Sequence, residues 1–145
     1  MSIYNPYKQY RQTQINTADK TKLVILVYDG AITYLKRAQR ELNEKNFEEK
    51  CDLIFKAQDI LLELIGSLDM NIGEVAQSLY SLYYYMMKRL TEANIKNNPE
   101  LIEEVINLLS GLRQTWTEAM AIMNEEQSSH SISRDNIGTR HLAVS

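Results

Sequence analysis

From Thr17 to Met123 apolar residues return in steps of three and four, broken only at three short polar stretches. That period belongs to helices, because side chains three and four apart share one face. The first helix is predicted over Thr17–Asn43, with Val24, Val27, Tyr28, Ala31, Leu35, Ala38 and Leu42 on its inner line. Asn46, with Glu49 three positions on, has the form of a capping box and opens the second. Its inner line is Ile54, Ala57, Leu61, Leu64 and Leu68. Asn71 with Glu74 repeats the signal and opens the third, carrying Val75, Leu79, Leu82, Met86, Leu90 and Ala93. Asn98-Pro99 then breaks the chain, and proline suits the first position of a helix. The fourth is predicted to end near Met123, with Leu101, Val105, Leu108, Leu112, Trp116 and Ala119 inside.

Short breaks make successive helices antiparallel. The predicted fold is therefore all-α, an antiparallel up-down four-helix bundle over residues 17–124. The segment over residues 1–16 stands before it. The stretch over 125–145 is rich in Ser, lacks an apolar period and reads as a mobile, disordered tail.

Composition excludes several functions. Net charge is −3, and Lys and Arg alternate with Glu along Lys36–Lys50 as on a solvated helix face, so no nucleic acid is expected as partner. No apolar run approaches the ~20 residues that span a bilayer. The first ten residues have no apolar centre of a signal peptide. Cys51 is the sole cysteine, which fits a reducing compartment, and the expected location is the cytoplasm. Both histidines, His130 and His141, lie in the tail. A di-iron bundle needs Glu-x-x-His on inward faces, and structural zinc needs Cys and His clusters. No glycine-rich phosphate loop or nucleophile elbow is present. The chain reads as a non-enzyme with no catalytic residue, cofactor or metal.

The informative feature is an excess of apolar faces. A surface helix needs an apolar stripe a little over about 100° wide. On the first helix Ile25 and Ile32 extend one edge, and Leu26 points nearly opposite the core line among Asp29, Thr33 and Arg37. On the second, Phe55 and Leu62 extend one edge, and Leu53 and Ile60 the other. On the third, Tyr80, Tyr84 and Met87 form a ridge at i, i+4, i+7. Tyr83 falls with the core. Exposed apolar patches of this kind mark binding surfaces, and Tyr and Met suit them. Leu26, Ile25, Ile32, Tyr80, Tyr84, Met87, Phe55 and Leu62 are the candidate partner contacts. Tyr4, Tyr7 and Tyr10, spaced by three, read with Ile3 and Ile15 as a segment laid over the same surface until a helical partner displaces it. The alternatives are a self-associating structural bundle or a regulatory protein-binding module.

Several runs resemble one family. Leu23-Val24-Ile25-Leu26-Val27-Tyr28-Asp29-Gly30-Ala31-Ile32 is similar to the first-helix motif of the flagellin export chaperones, the FliS family. Leu82-Tyr83-Tyr84-Tyr85-Met86, followed by Leu90 and Glu92-Ala93-Asn94, resembles the third-helix motif. Glu104-Val105, Leu108-Leu109, Leu112-Arg113 and Trp116 resemble the fourth, and Tyr4-Asn5-Pro6-Tyr7 the opening. The resemblance runs from Ile3 to Met123. It implies a bacterial cytoplasmic chaperone that binds the C-terminal segment of flagellin, prevents early polymerisation and assists delivery to the flagellar type III export apparatus. It also implies a monomer or weak homodimer, a covering N-terminal segment, and room for other flagellar regulatory or export proteins. Many relatives carry Asp where this chain has Tyr84, and Pro or Ser-Pro where it has Thr17-Ala18-Asp19-Lys20.

Overall fold

The polar breaks divide the chain where the sequence places them. The computed structural model describes residues 17–144, and they form α1 (Thr17–Asn43), α2 (Phe47–Ser67), a 3₁₀ turn (Met70–Ile72), α3 (Glu74–Lys96) and α4 (Pro99–Val144). No strand occurs among the described residues. The described residues divide into two compact units, residues 26–113, and residues 17–25 together with 114–144.

Residues 26–113 hold the antiparallel up-down bundle. Its core takes Tyr28, Ala31, Leu35 and Ala38 from α1, and Leu53, Ile54, Ala57, Leu61 and Leu64 from α2. From α3 come Tyr83, Met86, Leu90 and Ala93, and from α4 Ile102, Val105, Ile106 and Leu109. Polar bonds give the order of neighbours. Gln39 bonds Glu103 at 2.6 Å and Asp29 pairs with Arg113, so α1 runs antiparallel beside α4. Lys50 reaches the Asn94 carbonyl at 3.0 Å and Gln58 the Met87 carbonyl at 3.0 Å, so α2 runs antiparallel beside α3. Arg89 meets Glu104 at 2.8 Å between α3 and α4. In the second unit Thr21 and Ile25 are buried, Trp116, Ala119 and Met120 are half-buried, and Ile122 is exposed.

The caps differ from the sequence expectation. Asn46 does precede α2, but its amide donates to Glu41 at 2.8 Å and makes no cap bond, so the first capping box does not form. At the second break Asp69, not Asn71, is the cap: its carboxylate accepts from the Asn71 N–H at 3.0 Å and closes the 3₁₀ turn. Gly73 follows at φ 95°, a conformation only glycine adopts cheaply, and α3 begins at Glu74. At the third break Asn97 closes α3 in the left-handed region (φ 52°), and the Asn98 side chain accepts from the Glu100 N–H at 3.0 Å, with Pro99 first in α4.

Two inner lines are shifted. Val75 is 70% exposed, and α3 buries Ala76 instead, ahead of Tyr83. On α4 Leu108 and Leu112 are half-buried, whereas Ile102, Ile106 and Leu109 are buried. Both lines lie within a single broad apolar arc, and only the neighbouring helices select its centre. The last helix also continues through Val144, where an unstructured tail from residue 125 was expected. Only the apolar period stops near Met123. No proline follows Pro99, so nothing in the backbone forces the helix to end there.

Candidate functional site

The excess apolar residues of the bundle fall along two outer seams on either side of α2. Gln58 fixes the first. Its amide donates to the Met87 carbonyl and to Thr91 Oγ1, both at 3.0 Å, which sets its stripe of α2 against the Met87 stripe of α3. Phe55 and Leu62 stand three before and four after Gln58, and Tyr84 and Tyr80 stand three and seven before Met87, so all four border the same seam. Each is exposed, Tyr84 to 51%. The rings of Tyr80 and Tyr84 stack at 6.3 Å with an interplanar angle of 2°. Lys88 Nζ lies 5.1 Å from the Tyr84 ring centre and holds that ring by a cation–π contact. Met87 itself is half-buried.

The second seam lies between α1 and α2. A groove of about 460 Å³ is lined there by Leu26, Val27, Gly30, Thr33 and Tyr34 of α1 and by Ile60 and Glu63 of α2. Leu26 is 57% exposed at its edge. Lys56 Nζ lies 5.7 Å from the Tyr34 ring centre at the same seam. The groove is apolar in its floor and acidic at the rim, where Asp29 is engaged by Arg113 while Glu63 has no ion-pair partner among the described residues.

Two candidates are placed otherwise. Ile25 and Ile32 are 7% and 9% exposed and belong to the chain's own interior. Ile32 lies on the flank of α1 that carries Asp29 and Gln39, the residues that reach α4. A helix in a square bundle has neighbours on two sides, so it buries a wider arc than a helix lying on a surface. Leu26, Phe55, Leu62, Tyr80 and Tyr84 remain exposed as the angles required. Ile3, Tyr4, Tyr7, Tyr10 and Ile15 lie outside the described residues. Gly30 and Thr33 line the groove without being candidates, because neither residue registers in a hydropathy pattern.

The third seam, between α3 and α4, is polar. Arg89 donates to Glu104 at 2.8 Å and 3.2 Å, and the Tyr85 hydroxyl donates to the same carboxylate at 2.6 Å. These bonds, Arg89's first, hold the Glu104 carboxyl below its ordinary range. Lys96, then Arg89, do the same for Glu92. The cluster is a closed set of ion pairs. Among the described residues no group of three or more His, Cys, Asp or Glu could hold a metal. No described helix is long and apolar enough to cross a membrane.

Fold and seams together define an antiparallel four-helix bundle with unusually apolar flanks. The chain belongs to the FliS family: residues 3–123 match the family described as flagellar protein FliS. It is 35% identical to the flagellar secretion chaperone FliS of Bacillus subtilis (strain 168), over 90% of this chain and 96% of that one. It is 34% identical to that of Salmonella typhimurium (strain LT2), over 77% and 87% respectively. A solved structure titled as a flagellar chaperone from bacteria superposes with a TM-score of 0.68 at 22% identity, over 79% of this chain and 94% of the other. The relatives' name is that of a chaperone and not of an enzyme.

Proposed function

We propose that the chain holds the C-terminal helical segment of flagellin in the cytoplasm, keeps it from polymerising early, and assists its delivery to the flagellar type III export apparatus. The observation that carries this reading is the exposed ridge of Tyr80 and Tyr84, with Phe55 and Leu62 across the seam. Membership in a family of flagellar secretion chaperones supports it. A helix former that is disordered when free hides its apolar face by folding along such seams. Its ordering costs a few kcal/mol, which keeps the complex releasable over a large buried area. The N-terminal segment with Tyr4, Tyr7 and Tyr10 competes for the same surface in this reading.

The test is a titration of the purified protein with a flagellin C-terminal peptide. Calorimetry is expected to give a defined stoichiometry, and circular dichroism a gain in helix beyond the sum of the two components. No heat and no added helix at micromolar concentrations would refute it. A stable dimer in light scattering that ignores the peptide would favour copy-to-copy pairing of the seams instead.

A further inference from the structure

Gly30 sits in the interior of α1, where glycine is the poorest helix former after proline. The bundle's own geometry does not call for it. Gly73 is the only described glycine at positive φ, so Gly30 does not serve a left-handed turn. A Cβ added at Gly30 would meet Ile60 Cδ1 at 3.5 Å, an ordinary van der Waals contact, and no other atom beyond its own helix turn. Alanine therefore fits, gains a contact and improves the helix. What the glycine does provide is depth, since it lies in the groove between α1 and α2 with Leu26, Thr33 and Tyr34 beside it and Ile60 opposite.

We infer that Gly30 is a specificity-determining residue of this groove. It keeps the floor open, so that one large apolar side chain of an amphipathic partner helix rests against the α1 backbone, as a knob enters a hole between neighbouring residues. The charge of the rim identifies the occupant further. Glu63 lines the groove and has no ion-pair partner among the described residues, so the helix it suits carries a Lys or Arg beside its apolar face. This assignment rests on the flagellin-binding reading and names the chemistry of the segment that fills this seam.

The test compares Gly30→Ala with Gly111→Ala in the full chain. Gly111 also lies inside a helix, has no atom within 4 Å of an added Cβ, and borders neither seam. Both variants are expected to melt at or above the native temperature. Only Gly30→Ala is expected to bind the flagellin C-terminal peptide about tenfold more weakly, as one well-packed apolar contact is lost. Glu63→Gln is expected to make the affinity less sensitive to salt. A fall in melting temperature for Gly30→Ala overturns the inference, because the glycine is then needed by the fold. Unchanged affinity overturns it too. A higher affinity also does so, and assigns the floor to the chain's own N-terminal segment. Unchanged salt dependence in Glu63→Gln overturns the basic flank. If the native protein fails to bind the peptide, the flagellin reading falls, whereas native binding matched by Gly30→Ala removes only this inference.

Discussion

Tyr28 and Tyr83 meet hydroxyl to hydroxyl, 2.5 Å apart, across the diagonal of the helix square. Both are buried, and their rings lie 6.5 Å apart, tilted by 53°. The bond ties α1 to α3, which are not neighbours, and so fixes which faces of the two helices turn inward. Replacing either residue by Phe is expected to cost about 1 kcal/mol in urea unfolding. The double replacement is expected to cost less than the sum, with a coupling of at least about 0.5 kcal/mol. Additive losses would mean that the two hydroxyls are held independently.

Lys50 is 1% exposed, and its Nζ donates to the Asn94 carbonyl at 3.0 Å without a carboxylate partner among the described residues. Both polar side-chain atoms of Asn94 are buried without a hydrogen bond to any described residue. Burying an uncompensated charge costs more than one hydrogen bond returns. Lys50→Met keeps most of the length of the side chain and removes the charge, so its stability is expected to equal or exceed the native value. Lys50→Ala leaves a cavity instead and is expected to lose about 2 kcal/mol. Thermal melting of the two variants checks the order, and a Met variant less stable than the Ala variant would refute the argument.

The caps yield a paired prediction. Asn98 bonds the Glu100 N–H, whereas Asn46 bonds the Glu41 side chain and leaves its helix uncapped. Asn98→Ala is expected to lower stability by about 1 kcal/mol and Asn46→Ala by less than about half of that. Equal losses in chemical denaturation would show that cap geometry does not govern these two sites.

The same two asparagines show what the sequence could reveal. Helix number, order and direction were legible because the three-four period persists from Thr17 to Met123 and stops at each break. The capping signature at Asn46 was legible too, yet a cap needs the asparagine oxygen to accept from the first turn, and here the side chain is instead engaged through its NH2, which donates to Glu41 on the preceding helix. The outward angles of Leu26, Phe55, Leu62, Tyr80 and Tyr84 followed from spacing alone. Ile25 and Ile32 did not, since a helical wheel gives the angle of a side chain but not the number of helices that cover it. Val75 failed for the same reason at a helix end, where no neighbour covers it. Gly30 carries no hydropathy at all, and its place in the groove emerged only once Ile60 was set opposite.

Acid is expected to weaken the seam between α3 and α4 before the core. Arg89 and Tyr85 hold the Glu104 carboxyl below its ordinary 4.5, and Lys96 and Arg89 do so for Glu92. A carboxylate depressed by folding stabilises the native state fully above its unfolded pKa, and this is lost as pH falls through the folded value. The difference in melting temperature between the native protein and Glu104→Gln is thus expected to be constant near neutrality. It should close below about pH 4.5. High salt should shrink it at every pH, because the pairs are partly exposed. A difference that widens in acid would refute this account.

Exposure and burial together predict which apolar substitutions touch binding alone. Leu26 and Tyr84 are more than half exposed, so Leu26→Glu and Tyr84→Glu are expected to change stability by no more than about 0.5 kcal/mol. Each removes an exposed apolar contact from one seam and places a charge where a partner helix would lie. Binding of the flagellin C-terminal peptide is therefore expected to weaken about tenfold or more for either variant. Ile32, on the same helix as Leu26, is 9% exposed and serves as the contrast. Ile32→Ala is expected to cost about 2–4 kcal/mol of stability, with any loss of binding following the unfolded fraction. Melting curves and calorimetric titrations on the three proteins separate the two effects. Were Leu26→Glu to unfold the bundle as Ile32→Ala does, the groove between α1 and α2 would be part of the core and not a surface open to a guest.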